Sequence, residues 1–189
     1  MNLVVLANSV KSFVPNQMVC LTYKFFSQFI SKDQLVPELK NYIPQILDQV
    51  VQGSLLTNTD TYNFINEPKT FIYHQADEIT ESYIIKRYAI SQFIKTLCSY
   101  KQKNSKGKTP KNARPDFLDQ ILKYLINILE MYEAEVLKQT NPNFLIKEAV
   151  LNILQNIADS IIKYSSANDI EAIFQKFIVH EFTVSYIFY

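Results

Sequence analysis

Glycine is almost absent from this chain of 189 residues, which contains only Gly53 and Gly107. Glycine adopts the positive φ angles of tight hairpin turns more readily than any other residue, and glycine-rich loops bring a backbone close to phosphate groups. A chain with two glycines is therefore expected to form helices joined by polar loops. The same scarcity excludes the glycine-rich loops that bind nucleotides.

Apolar residues recur at intervals of three and four along most of the chain, which is the spacing of one face of an α-helix. On this criterion we predict six amphipathic helices, over residues 17–31, 34–52, 80–100, 117–138, 144–164 and 170–182. Pro44 lies inside the second of these helices and is expected to kink it. Asp116 is expected to open the fourth helix, and Asn168 or Asp169 is expected to cap the sixth.

The predicted inner faces follow from the same spacing. In the third helix the inner face is expected to carry Ile84, Tyr88, Leu97 and either Phe93 or Ile94. In the fourth helix it is expected to carry Phe117, Ile121, Leu125 and either Ile128 or Leu129. The many tyrosine and phenylalanine residues are predicted to serve core and inter-repeat packing rather than to form a ligand cage.

Two long connections separate the predicted helices. Residues 54–79 are polar and lack a helical period, and we predict an irregular but ordered connection that lays its aromatic residues on the helical body. Those residues are Tyr62, Phe64, Phe71 and Tyr73. The second connection, 101–116, contains a strongly basic stretch.

The predicted helices fall into three antiparallel pairs, over 17–52, 80–138 and 144–182. Because each helix has a wide apolar face, each must pack against two neighbours. We therefore expect an all-α fold in which residues 1–189 form one partial α-solenoid of HEAT or armadillo type, with loops 54–79 and 101–116 inserted. The apolar residues 178–189 are expected to require further repeats to cover them. A compact helical bundle is the competing interpretation.

The net charge is only +1, but the stretch 101–114 has six basic residues and no acidic residue, so the remainder of the chain is acidic on balance. The basic residues are Lys101, Lys103, Lys106, Lys108, Lys111 and Arg114. Three interpretations stay open: a solvated insertion, a contact with an acidic protein surface, and a nucleic-acid-binding segment or nuclear signal. Nucleic acid is the least expected partner, because the stretch has no aromatic residue to stack on a base.

Enzymatic patterns are absent from the sequence. The only histidines, His74 and His180, lie far apart, and no metal-ligand spacing or nucleophile–base motif surrounds them. Cys20 and Cys98 each lie in an apolar run and are expected to be buried thiols, as in a reducing compartment. No apolar stretch is long enough to span a membrane. We therefore predict a non-catalytic protein without metal, cofactor or membrane span.

Three segments resemble one known family. The first has Asp60, Phe64, Glu67, Pro68, Phe71 and Ile72 in the pattern D-x-x-x-F-x-x-E-P-x-x-F-I, after a helix with an internal proline. The second is the helix containing Lys86, Arg87, Ala89, Leu97 and Cys98. The third contains Lys147, Glu148 and Ala149, followed by the segment 168–182. In this order they resemble the importin-β superfamily of nuclear transport receptors, in particular the CAS-type re-exporters of importin-α and the importin-7/8 group.

The resemblance implies a HEAT-repeat receptor for nucleocytoplasmic protein transport. Such a receptor would bind protein cargo or importin-α, Ran-GTP and nucleoporins, and would be found in the nucleus, in the cytoplasm and at the nuclear envelope. The N-terminal region that carries most Ran contacts in the family has no counterpart here. We expect partner contacts at the basic stretch and at Asp60, Glu67, Lys86 and Arg87. The alternative is a helical scaffold that binds a partner protein without Ran.

Overall fold

A computed structural model describes residues 16–30, 36–76, 82–102, 113–138 and 143–179. Every regular element in these ranges is a helix, which confirms the all-α fold class. The elements are α1 (Asn16–Ile30), α2 (Val36–Lys40), α3 (Ile43–Ser54), α4 (Asn58–Asn66), α5 (Pro68–Ala76), α6 (Ser82–Ser99), α7 (Leu118–Leu137), α8 (Phe144–Asn156), α9 (Ala158–Tyr164), α10 (Ala167–Phe174) and a π-helical segment (Gln175–Val179).

Two predicted helices are each divided in two. The described part of the segment 34–52 forms α2 and α3. Pro44 lies in the first turn of α3, where its missing N–H costs no helical hydrogen bond. The predicted kink is therefore wrong, because a new helix starts at Ile43 and the proline lies in its first turn. The segment 144–164 is interrupted at Ile157. Just before this break, the side-chain amide of Asn156 donates to the backbone carbonyl of Asn152 at 2.8 Å and competes for a helical acceptor.

The prediction that residues 54–79 are irregular is wrong for the described part of this range, because residues 58–66 form α4 and residues 68–76 form α5. Thr57 caps α4: its hydroxyl accepts from the Asp60 backbone N–H at 3.2 Å, and the Asp60 carboxylate accepts from the Thr57 backbone N–H at 3.1 Å. Pro68 is the first residue of α5, a position that proline favours. These local starting signals outweigh the weak apolar period of the segment. Phe64 packs on the helical body as predicted, whereas Tyr62 is exposed.

Two of the predicted helix starts are also wrong. Phe117, not Asp116, is the N-cap of α7, and no side chain caps it. The Asp116 carboxylate instead pairs with Lys40 at 3.5 Å. Helix α10 begins earlier than predicted: Ser166 is its N-cap, and Asp169 completes a reciprocal capping box from the third helical position.

The inner face of α7 is confirmed, since Phe117, Ile121, Leu125 and Leu129 are all fully buried. In α6, Phe93, Ile94 and Leu97 are buried as predicted, but Tyr88 is 55% exposed and its assignment to the inner face is wrong. Among the α6 side chains that the structure describes, the buried stripe instead includes Arg87, one residue before Tyr88, and continues through Ile90. The side chain of Ile84 lies outside the described residues, as do the predictions for Tyr73 and for residues 180–189.

Helices in corresponding positions of the three predicted pairs run parallel to one another. The first helices of the pairs form one such series, and the second helices of the first two pairs form another. In the first series, Cys20 of α1 lies near Lys86 of α6, and further along both helices the rings of Tyr23 and Phe93 are 5.3 Å apart. In turn α6 runs parallel to α8 and α9: Arg87 pairs with Glu148 near their starts, and Lys101 lies 4.9 Å from the Tyr164 ring at their ends.

The second series joins α2 and α3 to α7. Lys40 pairs with Asp116 before α7 begins, and Tyr124, two turns into α7, donates to Asp48 of α3. Burial and this bond to a carboxylate raise the pKa of the Tyr124 phenol far above its ordinary value. Lys40 precedes Asp48 along the chain, as Asp116 precedes Tyr124, so the two contacts show that α3 and α7 run in the same direction.

Helix α3 also contacts a helix of the third predicted pair, which a stack of pairs touching only their neighbours would not require. It packs against α8 as well as against α6, so the first predicted pair touches the third directly. The buried apolar side chains of α1, α3, α6, α7 and α8 accordingly form one hydrophobic cluster. The solvent-facing ends of α4, α7 and α8 lie beside this core and form a cleft.

Candidate functional site

A cleft of about 390 Å³ lies between α4, α7 and α8, and we call it the aromatic cleft. Its lining consists of Phe64, Tyr132, Phe144, Lys147, Glu148, Leu151, Asn152 and Gln155. Phe64 stacks on Phe144 with ring centroids 6.1 Å apart, so α4 meets the first turn of α8 through this pair. The cleft depends on α4, because that helix supplies the Phe64 side of the wall.

Two lining residues of the aromatic cleft, Lys147 and Glu148, each belong to an ion pair with a residue of another helix. Arg87 of α6 places Nη2 at 2.7 and 2.9 Å from the two carboxylate oxygens of Glu148 on α8. Lys147 places its ammonium 2.6 Å from Oε1 of Glu133 on α7. Arg87 and Lys147 are each only 6% exposed, so each needs its carboxylate partner to offset the loss of water.

The Glu148 carboxyl has a raised pKa. Desolvation by burial is the main cause and outweighs the opposing effect of the Arg87 guanidinium, and the negative charge of Asp60 adds to it. The cleft therefore holds a carboxylate that is costly to ionise in spite of its cationic partner.

Among the sequence-predicted site residues, Asp60 and Arg87 come together around Glu148. Asp60 is buried and also closes the capping box of α4, so its carboxylate has a structural role in addition. Glu67 is exposed at the end of α4, where its backbone N–H donates to the Asn63 carbonyl at 2.8 Å. Lys86 is half-buried near Cys20, and burial lowers the pKa of its ammonium.

The described ends of the basic stretch lie elsewhere, at the junction of α9 and α10. Lys101 lies over the Tyr164 ring, and Arg114 donates to the Tyr164 carbonyl and pairs with Asp119. Lysine hydrogen bonds, first that from Lys101, lower the pKa of the Tyr164 phenol. The other predicted contacts, Lys103, Lys106, Lys108 and Lys111, lie outside the described residues.

Sequence reasoning assigned no role to Lys147 or Glu133 in a site. Lys147 entered only as part of the resemblance, and no sequence pattern singled out Glu133. Neither residue has a neighbour in sequence that signals the pair, because Glu133 and Lys147 lie on different helices. A hint was available in the apolar environment of Lys147, which falls on the buried face of α8 beside Val150 and Ile153.

Reactive groups are few among the described residues. The described residues include no group of three or more His, Cys, Asp or Glu side chains placed to hold a metal ion. Cys20 and Cys98 are both buried, and burial raises the pKa of the Cys98 thiol to about 12. Neither thiol is therefore a reactive thiolate near neutral pH. No helix in the described ranges combines the length and the apolar character needed to cross a lipid bilayer.

A second depression, of about 310 Å³, is almost wholly apolar and lies between α8, α9 and α10. Ile162 and Phe174 line it and are 66% and 47% exposed. It offers packing surface but, apart from Gln155, no polar side chain to orient a ligand.

Comparison with known proteins adds no assignment. No family model matches the chain, and the searches of curated proteins and of solved structures also found no match.

Proposed function

We propose that this chain is a helical-repeat segment that binds other proteins, and that it belongs to a nuclear transport receptor of the importin-β type. The observation that carries the proposal is the parallel succession of α1, α6 and α8–α9, accompanied by the parallel pair α3 and α7. Parallel equivalents in consecutive helix pairs are the geometry of a stacked α-solenoid. The ordered sequence segments that resemble the receptors support the narrower assignment.

The proposed mechanism is binding alone. Protein cargo or importin-α, Ran-GTP and nucleoporins would contact the outer helices and loops, in the nucleus, in the cytoplasm and at the nuclear envelope. Stacked helices provide a long surface on which many modest polar contacts add up, and no covalent bond changes. The basic stretch 101–114 would contact an acidic surface of one of these partners, since opposite potentials attract during encounter.

The test is a quantitative pull-down of purified Ran, loaded with GTP or with GDP, and of importin-α by the full chain. We expect binding of Ran-GTP in preference to Ran-GDP, or binding of importin-α. Charge reversal of Lys103, Lys106, Lys108 and Lys111 to glutamate is expected to weaken this binding roughly tenfold or more.

The matched control makes the same change in net charge at four exposed lysines outside the basic stretch, Lys24, Lys95, Lys123 and Lys138. This control is expected to bind nearly as well as the unaltered chain. If neither nucleotide form of Ran nor importin-α binds, the transport assignment fails. Equal weakening by both sets of substitutions would show that net charge alone, not the basic stretch, governs binding.

The second candidate function is a helical scaffold that binds a partner without Ran. The contact between α3 and α8 favours it, because that contact links the first and third helix pairs around one core. In a stack of repeats each unit touches only its neighbours. A protein partner captured equally well with or without Ran-GTP would support the scaffold over the receptor.

A further inference from the structure

We infer that the aromatic cleft binds an arginine or lysine side chain of a partner protein, against the rings of Phe64 and Phe144 and the carboxylate of Glu148. This inference goes beyond the proposed transport function and does not depend on it. It assigns a chemical class of ligand to a cleft that the sequence did not reveal.

One half of the cleft already binds a cation from the chain itself. The Lys147 ammonium lies 2.6 Å from the Glu133 carboxylate and 5.1 Å from the centroid of the Tyr132 ring. An aromatic face and a carboxylate together stabilise an ammonium or guanidinium group, through the ring quadrupole and through charge-assisted hydrogen bonds. The other half of the cleft has the same combination of groups, the Phe64 and Phe144 rings and the Glu148 carboxylate, and there the Arg87 guanidinium pairs with the carboxylate from α6.

The charges around the cleft favour one more cation. Among the described residues, Glu148 and Lys147 line the cleft, and the charged groups that act on them are the carboxylates of Asp60 and Glu133 and the guanidinium of Arg87. This set contains three carboxylates and two cations. Arg87 reaches both oxygens of Glu148 from one side with a single nitrogen, and a carboxylate can accept about four hydrogen bonds. Glu148 therefore has acceptor capacity left for an incoming basic group, while an anionic ligand would be repelled.

The groups that would contact this ligand are accessible. Phe64 is 44% exposed and Phe144 38% exposed, and the Glu148 side chain is 26% exposed. Leu151 offers apolar surface to the methylene stem of a lysine or arginine, which packs on apolar groups while its charged end binds. The amides of Asn152 and Gln155 lie on the same wall and can bond to the backbone beside that residue.

The test is an NMR titration of the ¹⁵N-labelled chain with the peptide acetyl-Gly-Arg-Gly-amide. The matched neutral probe replaces arginine by citrulline, which has nearly the same shape without the charge. We expect saturable shifts of backbone signals from Phe64, Phe144 and Leu151, with a dissociation constant on the order of 1 mM. The citrulline peptide is expected to bind about tenfold more weakly.

A pair of variants on α4 locates the site. Phe64→Ala removes one wall and is expected to weaken the arginine peptide about threefold to tenfold. Tyr62→Ala removes an exposed ring of the same helix that does not line the cleft, and it is expected to leave binding unchanged. Equal binding of the two peptides, no effect of Phe64→Ala, or equal weakening by both variants would each overturn the inference. None of these outcomes bears on Ran binding, so the two proposals fail separately.

Discussion

At the scale of single residues, buried charges determine how the helices face one another. The apolar period of α6 placed Tyr88 inside, yet the buried position belongs to its neighbour Arg87. Arg87 is buried because Glu148 on α8 offers a carboxylate at 2.7 Å. A periodicity argument treats an arginine as a surface residue and has no means of detecting a partner 61 residues away.

We predict that Arg87→Met destabilises the fold by about 3 kcal/mol. This value is at the low end of the range for breaking a buried ion pair. The reason is that the Glu148 carboxylate is partly hydrated, so water still stabilises its charge in part after the guanidinium is removed. Urea unfolding measures this change in the free energy of unfolding. An unchanged slope of the transition checks that unfolding stays two-state.

The control for this prediction is Arg114→Met, which removes the exposed pair with Asp119 and is expected to cost less than about 1 kcal/mol. The double variant Arg87→Met/Glu148→Leu is expected to recover most of the loss, since it leaves no uncompensated charge. An Arg87→Met protein as stable as the unaltered chain would contradict the role given to this pair.

At the scale of helices, local signals decide where each one begins. Thr57 with Asp60 and Ser166 with Asp169 both form reciprocal capping boxes, and both patterns are visible in the sequence. Apolar periodicity is weak in the polar segment that contains Thr57 and Asp60, so periodicity does not predict α4, whereas the capping pattern does. Helix α4 therefore could have been predicted, whereas the packing of its Phe64 on Phe144 could not, because 80 residues separate them along the chain.

We predict that Thr57→Ala lowers the free energy of unfolding by about 1 kcal/mol, through loss of the hydroxyl that accepts from the Asp60 backbone N–H. Thr57→Ser keeps that oxygen and is expected to stay within about 0.5 kcal/mol of the unaltered chain. Urea unfolding followed by circular dichroism gives both values.

The neighbouring exposed residue supplies the control: Asn58→Ala changes a side chain that makes no cap and is expected to leave stability nearly unchanged. A loss from Asn58→Ala as large as that from Thr57→Ala would mean that the capping bond is not the cause.

At the scale of the whole molecule, one hydrophobic cluster joins helices from all three predicted pairs. The contact between α3 and α8 connects the first and third helix pairs within this cluster. The corresponding helices of the pairs nevertheless remain parallel. Such a molecule is expected to unfold as one unit rather than repeat by repeat.

We predict that far-UV circular dichroism and labelling of the buried Cys20 and Cys98 thiols report the same urea midpoint. Leu125→Ala, at a fully buried position of α7, is expected to lower both midpoints together, with a loss of about 3 kcal/mol. Leu137→Ala on the same helix is the control, because Leu137 is 84% exposed. Separate transitions for helix content and thiol labelling would contradict a single cooperative core.

The sequence alone determined the helical class and several buried faces of this protein. The scarcity of glycine, the three-and-four spacing and the apolar face from Phe117 to Leu129 are local properties, set by residues within one or two helical turns. Tertiary structure alone decided that Arg87 faces Glu148, that Lys147 faces Glu133, and that Phe64 and Phe144 line one cleft. These contacts join residues on different helices, and only the packing of the whole core brings the two members of each pair within a few ångströms.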